Sequence, residues 1–290
     1  MIGDKIMFKG FFSIKNISLF LISLFLIFFV IIPTCYILVT SFCNADDLGN
    51  ISFVFTMSNY KKLFSQIYGE VIYNSVRIAI LTTTLVLLIA FPLANIVSKL
   101  NSKIQMIILL LIVLPYWTNS LVRTYSFMVI LRADGIINKL LMYLGISDSP
   151  LQLLYTELAV VLAMVYLFLP VMFLPIYSSI EKLDKSYIEA SKDLGAGNVA
   201  TFFNVVLPLT LPGIVAGSIL VFTPCLGLFF ISDLIGGGKT VLLGNVIRDQ
   251  FSSTRNIPFG SALSVVMMVM ALIFILIYYK ISSGGEKNEQ

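Results

Sequence analysis

Residues 181–208 read EKLDKSYIEASKDLGAGNVATFFNVVLP, a segment rich in the residue types that start, stop and join short helices. Ser186 followed by Glu189 fits a capping box, in which the serine caps a helix start and the glutamate reaches back to it. Gly195 follows Leu194 where a helix end needs a left-handed residue, which glycine supplies without a steric penalty. Asn198 is placed to cap a second short helix running into Leu207-Pro208. Ala190 and Leu194, four apart, share a face. Small and apolar, that face suits either a partner's groove or the base of the chain's own bundle. Glu189 is open to two roles that can coexist, its own helix cap and a docking contact. The chemistry implied is docking, not bond-making.

Other candidates for chemistry fall away. In Gly236-Gly237-Gly238-Lys239-Thr240 the lysine and threonine suggest a phosphate loop, but that motif needs glycine five residues before Gly238. Asp233 stands there, and no strand pattern precedes it. There is no histidine, which removes histidine-based triads and histidine metal sites. Cys35, Cys43 and Cys225 are odd in number, and read as small apolar residues rather than a disulfide framework. A net charge of +4 is too weak to indicate nucleic-acid binding.

The elements that must hold this loop are set by composition. The 290 residues are 58% hydrophobic and only 12% charged, against roughly 25% charged in a soluble domain. That is too little charge to cover a water-facing surface, and the chain reads as an all-α integral membrane protein. Six stretches of at least 18 residues lack Asp, Glu, Lys and Arg: 16–45, 78–98, 104–122, 158–180, 194–232 and 256–279. Each can supply the roughly 20 apolar residues a membrane helix needs, and none alternates as a barrel strand does. The 39-residue run at 194–232 is read as one interfacial segment followed by one span. The first span is too long for a signal-peptide core and is read as a retained anchor.

The resulting organisation is a tail at 1–16, a six-span domain at 17–281 and a tail at 282–290. The spans lie at about 17–42, 72–98, 104–131, 158–180, 208–231 and 257–280. The loop at 181–207 falls on the same side as both termini. Ten of the 19 Lys and Arg fall on that side, and Lys5, Lys9 and Lys15 precede the first span. The positive-inside rule then places both termini in the cytoplasm.

Glu189-Ala190-Ser191, Gly195 three residues further on, and Leu207-Pro208 together resemble the EAA loop of permease subunits in bacterial type I ABC importers. Ser191 stands where that family usually has alanine. The stretches LPYWTNSLVRTYSF (114–127), IEKLDKSYIEASKDLGA (180–196), LPLTLPGIVAGS (207–218) and SDLIGGGKTVLLGNVI (232–247) are similar to the first permease of spermidine/putrescine importers. The resemblance implies a MetI-like six-helix fold in the bacterial cell membrane. It implies a coupling role for Glu189, Ala190, Ser191, Asp193, Leu194, Gly195, Leu207 and Pro208. It also implies these partners: a homologous second permease, two ATPase subunits docked at 181–207 and an external polyamine-binding protein. ATP and magnesium would then sit on the ATPases, with no cofactor on this chain and no chemistry catalysed by it. One departure is Leu226-Gly227-Leu228-Phe229, where family members commonly place an acidic residue at the position of Leu228.

A polycation leaving water needs carboxylates and aromatic faces. The candidates toward the outer side are Asp233, Glu157, Asp134, Tyr116, Trp117 and Tyr125. Each also has a plain reading, as interfacial aromatic, loop carboxylate or partner of Arg123 or Arg132. Arg123 lies near a span and is expected to pair with Glu157 or Asp134. Alternatives are an importer permease for another small solute, a gradient-driven transporter and, last, a membrane enzyme.

Overall fold

In lipid a backbone polar group without an internal partner is costly, so the apolar stretches fold as helices and the exceptions sit at proline and glycine. The computed structural model describes the backbone of residues 14–46 and 51–286 and the side chains of 18–46 and 51–280. The sequence-expected tails fall largely outside these, with Lys5, Lys9 and Lys287.

Helices α1 (Ile14–Leu26) and α2 (Ile32–Ser41) are joined by a π turn at Ile27–Ile31. A two-residue antiparallel ladder follows, β1 (Asn44–Ala45) and β2 (Ile51–Ser52), with Asn44 opposite Ser52. Then come α3 (Ser58–Leu63), α4 (Gln66–Val97), α5 (Ser102–Val113) and a 3-10 turn at Leu114–Trp117. Beyond it lie α6 (Ser120–Leu131), α7 (Ile136–Tyr143), α8 (Glu157–Glu181), α9 (Lys185–Asp193) and α10 (Asn198–Thr201). A second π turn, Phe202–Val206, leads to α11 (Leu207–Gly227), and α12 (Phe229–Leu234), α13 (Leu243–Ser252) and α14 (Ile257–Glu286) complete the order.

Five stretches among the described residues are long and apolar enough to cross a membrane unbroken: Ser18–Ser41, Gln66–Val97, Glu157–Glu181, Asn198–Gly227 and Ile257–Lys280. The third expected span, 104–131, is not straight. Ser102–Trp117 and Ser120–Tyr143 meet at 100°. The cause is local: Thr118 is extended and donates its hydroxyl to the Pro115 carbonyl at 2.7 Å. Asn119 then caps α6 by accepting from the Leu121 N–H at 2.8 Å, a stop and a start placed back to back.

The fifth span also differs from expectation. In place of an interfacial segment and a separate span, 198–227 is one helix that widens at Phe202–Val206. Pro208 is the reason. Its ring clashes with the carbonyl four residues back and it offers no N–H, so Leu207 reaches back to the Phe202 carbonyl instead. Pro33 follows the π turn of the first span in the same way, with the Ile32 N–H on the Ile27 carbonyl.

The described residues form two compact units. One comprises residues up to 64 together with 249–266. In it the Asn59 amide donates to the carbonyls of Ser41 (3.1 Å) and Cys43 (2.8 Å), and the Thr40 and Ser261 hydroxyls lie 2.9 Å apart. These bonds fasten the end of α2 to α3 and to the start of α14.

The larger unit, 65–248 with 267–290, is built on α4, α8 and α11. Ile78, Val86 and Ala90 of α4, Val160, Met164 and Phe173 of α8, and Val221, Cys225 and Leu226 of α11 are buried together. Small residues let the helices close. A Cβ on Gly213 would stand 2.5 Å from the Pro175 carbonyl and 2.3 Å from Ser179 Oγ, and one on Gly217 2.7 Å from the Met172 sulfur. The Gly213-x-x-x-Gly217 face is therefore used within the chain. At the end of the bundle near α9, the Gln105 amide donates to the Tyr177 hydroxyl, which donates to Glu181 at 3.0 Å.

Candidate functional site

The segment between α8 and α11 is a pair of short helices held at a fixed angle. The Asp184 carboxylate accepts the Ser186 N–H at 2.9 Å and starts α9. This corrects the expected capping box. With Asp184 already at the N-cap, Ser186 falls inside the first turn, and Glu189 makes no hydrogen bond among the described residues. The Ser186 N–H also holds the Asp184 carboxyl below its ordinary pKa, so the cap is charged and in place at neutral pH.

α9 ends in a Schellman turn, with the Ala196 N–H on the Ser191 carbonyl (3.0 Å) and the Gly195 N–H on that of Lys192 (2.9 Å). Gly195 has φ +83°, and nothing lies within 4 Å of where its Cβ would be. Conformation, not space, is what calls for glycine. The N-cap of α10 is Gly197, which has no side chain to cap with, and the expected cap Asn198 is the first helical residue.

Two contacts fix this pair. The Ser191 and Thr201 hydroxyls lie 3.1 Å apart, bonding α9 to α10. Phe202 meets Phe91 of α4 edge-on at 5.4 Å, seating the loop on the bundle. Leu207 is half-buried against the core, and Pro208 is exposed. On the outside, Glu189, Ala190, Asp193 and Gly195 are exposed, as are Leu194 at 88% and Val199 at 72%. Ala190 and Leu194 do not pack on the chain's own base. The arrangement is an unpartnered apolar surface with the carboxylates of Glu189 and Asp193, four apart, along one flank, carried by two short helices between α8 and α11.

The expected pathway residues are not gathered into one site. Glu157 pairs with Arg77 at 2.5 Å, tying the start of α8 to α4. Asp233 binds the Arg248 guanidinium and the Asn245 amide (2.7 Å), while Arg248 lies over the Phe229 ring at 5.1 Å. This knot clamps α12 to α13. Asp134 is exposed beside Arg132 in an open cleft of about 560 Å³ formed by 131–134 and 150–155. Trp117 and Tyr125 are exposed, and Tyr116 has the Arg123 guanidinium over its ring at 5.5 Å. Arg123 thus pairs with neither Glu157 nor Asp134, because Glu157 is engaged by Arg77 and Asp134 lies beyond the far end of α6.

Other features escaped the sequence. Gly237 and Gly238 take positive φ, and a Cβ on Gly237 would stand 2.5 Å from the Tyr155 ring. The glycine run is a turn that receives Tyr155, itself left-handed at φ 63° with its N–H on the Ile235 carbonyl. At Gly244 a Cβ would stand 2.3 Å from the Gly227 carbonyl. The helix stops there, and Leu228 bridges to α12. Paired glycines far apart in sequence are the only signal that could have shown this.

A loop of this form between two spans invites comparison with known proteins. Residues 86–283 match the family described as binding-protein-dependent transport system inner membrane component. The chain belongs to that family. This transport-system component is therefore a multi-pass membrane protein, and the family match takes in α5 to α13, including the whole 181–207 loop. It is 45% identical over 266 residues to the spermidine/putrescine transport system permease protein PotB of Haemophilus influenzae, covering 92% of this chain and 93% of that one. Over 257 residues it is 42% identical to PotB of Escherichia coli, covering 89% and 94%. Among solved structures, a bacterial ABC transporter that imports the acidic polysaccharide alginate aligns with a TM-score of 0.76 at 16% identity, over 95% of this chain and 96% of that one. At that identity the likeness establishes a shared fold.

Proposed function

We propose that this chain is the permease subunit of an ATP-binding-cassette importer that moves spermidine and putrescine into the cell. The observation that carries this reading is 45% identity, along nearly the full length of both chains, to a spermidine/putrescine permease. Both termini and the 181–207 loop face the cytoplasm. An ATPase subunit receives the exposed face of Ala190 and Leu194, with Glu189 and Asp193 along one edge, and a second ATPase serves a second, homologous permease. ATP and magnesium are held by those ATPases, and this chain catalyses no bond-making step. An external polyamine-binding protein delivers cargo to the outer loops. ATP-driven closure moves α9 and α10 together, and α8 and α11 carry the stroke into the bundle as alternating access.

The test is uptake of labelled putrescine and spermidine in cells with and without this chain. Loss of both on deletion, restored by the intact chain, supports the reading. Unchanged uptake in a strain with no parallel importer contradicts the cargo. A second cargo reading, another small solute, is favoured by Leu228 and by the engagement of Glu157 and Asp233 with arginines. Competition by unlabelled solutes separates the two.

A further inference from the structure

Arg123 is only 8% exposed, and its Nε is buried without a hydrogen-bond partner. Among the described residues no carboxylate pairs with it. The guanidinium folds back over Tyr116, toward the first turn of α6, where free backbone N–H groups already concentrate positive potential. An unpaired buried charge in this setting is strongly unfavourable, and in a membrane segment it marks a site whose partner is elsewhere. The carboxylates that the sequence offers toward the outer side are engaged or placed elsewhere. Glu157 holds Arg77, Asp233 holds Arg248, and Asp134 lies in an exposed loop after Leu131. At the junction that the guanidinium covers, Tyr116, Trp117 and Val122 are exposed.

From this buried, unpaired guanidinium beside a helix N-terminus we infer that Arg123 is the seat for a carboxylate contributed by the second permease subunit, inserted between Tyr116 and the start of α6. The inference rests on the proposed pairing of two permeases. It gives the break at residues 118–119 a purpose, since a straight helix would leave neither a free N-terminus nor a ledge beside Tyr116. A free carboxylate from the partner would neutralise both the guanidinium and the helix end.

The test uses the full transporter with an affinity tag on the second permease, in wild-type, Arg123→Lys and Arg123→Met forms. Recovery of this chain, polyamine uptake and the Tm of the chain expressed alone are measured. Methionine keeps an apolar stem without the charge, so the lone chain's Tm holds or rises. Recovery with the second permease falls by roughly tenfold or more for Arg123→Met and less for Arg123→Lys.

Full recovery of Arg123→Met with normal uptake overturns the inference. Full recovery with lost uptake also overturns it, and assigns the guanidinium to the pathway. Recovery of wild type that follows the anionic phospholipid content, with no difference at Arg123→Met, points to a lipid phosphate and overturns it too. If wild type itself does not retain the second permease, the pairing fails and the inference falls with it.

Discussion

Gly195 shows what one residue contributes. It closes α9 at φ +83° in open space, so a side chain there is opposed by backbone strain and not by a clash. Gly195→Ala is expected to cost about 1–2 kcal/mol in the turn and to lower uptake. Gly195→Asn, which tolerates the left-handed region, costs less. Equal uptake in glycine, alanine and asparagine forms contradicts this account of the turn. The glycine cap was legible because a left-handed position has a narrow residue preference. The N-cap was not: Asp184 and Ser186 are both good caps two residues apart, and only the path of the chain decides between them. Arg77 and Glu157 are 80 residues apart, and nothing local in either segment announces the pair.

At the scale of elements, the loop acts as a rigid pair only while α9 and α10 stay joined. Ser191→Ala strips the Thr201 hydroxyl, on a residue that is 3% exposed, of its partner across the pair. That is worse than removing both hydroxyls. Ser191→Ala is therefore expected to lower uptake more than the Ser191→Ala/Thr201→Val double variant, as rates per assembled transporter report. A double variant as impaired as the sum of the singles contradicts the bond. In the bundle, Gly213→Leu drives a side chain into Pro175 and Ser179 of α8. Overpacking of this kind costs about 1–3 kcal/mol and lowers the Tm in detergent; an unchanged Tm contradicts the packing described. Composition gave the number of apolar stretches but not their shape. The 100° bend at residues 118–119 and the widened turn before Pro208 both arise from proline and cap chemistry, to which a count of charge-free residues is blind.

For the whole molecule, family membership and the six apolar stretches agree on a multi-pass permease. The two short helices and the glycine turn of the 181–207 loop were legible because their signals are local and contiguous. The fate of the outer carboxylates was not, since Glu157 and Asp233 are engaged by arginines that only the folded chain brings to them. Orientation is testable with single cysteines after replacement of Cys35, Cys43 and Cys225. An impermeant maleimide is expected to label Phe55→Cys on intact cells and Leu194→Cys only after permeabilisation. The reverse pattern contradicts a cytoplasmic loop.

The most direct measurement pairs ATP hydrolysis with polyamine uptake in proteoliposomes holding the complete transporter, wild type against Gly195→Glu. If this loop carries the stroke, the variant assembles its permeases but loses both uptake and the hydrolysis stimulated by the loaded binding protein. Uptake at the wild-type rate, with a charged side chain in the turn between α9 and α10, contradicts the claim that this loop carries the stroke.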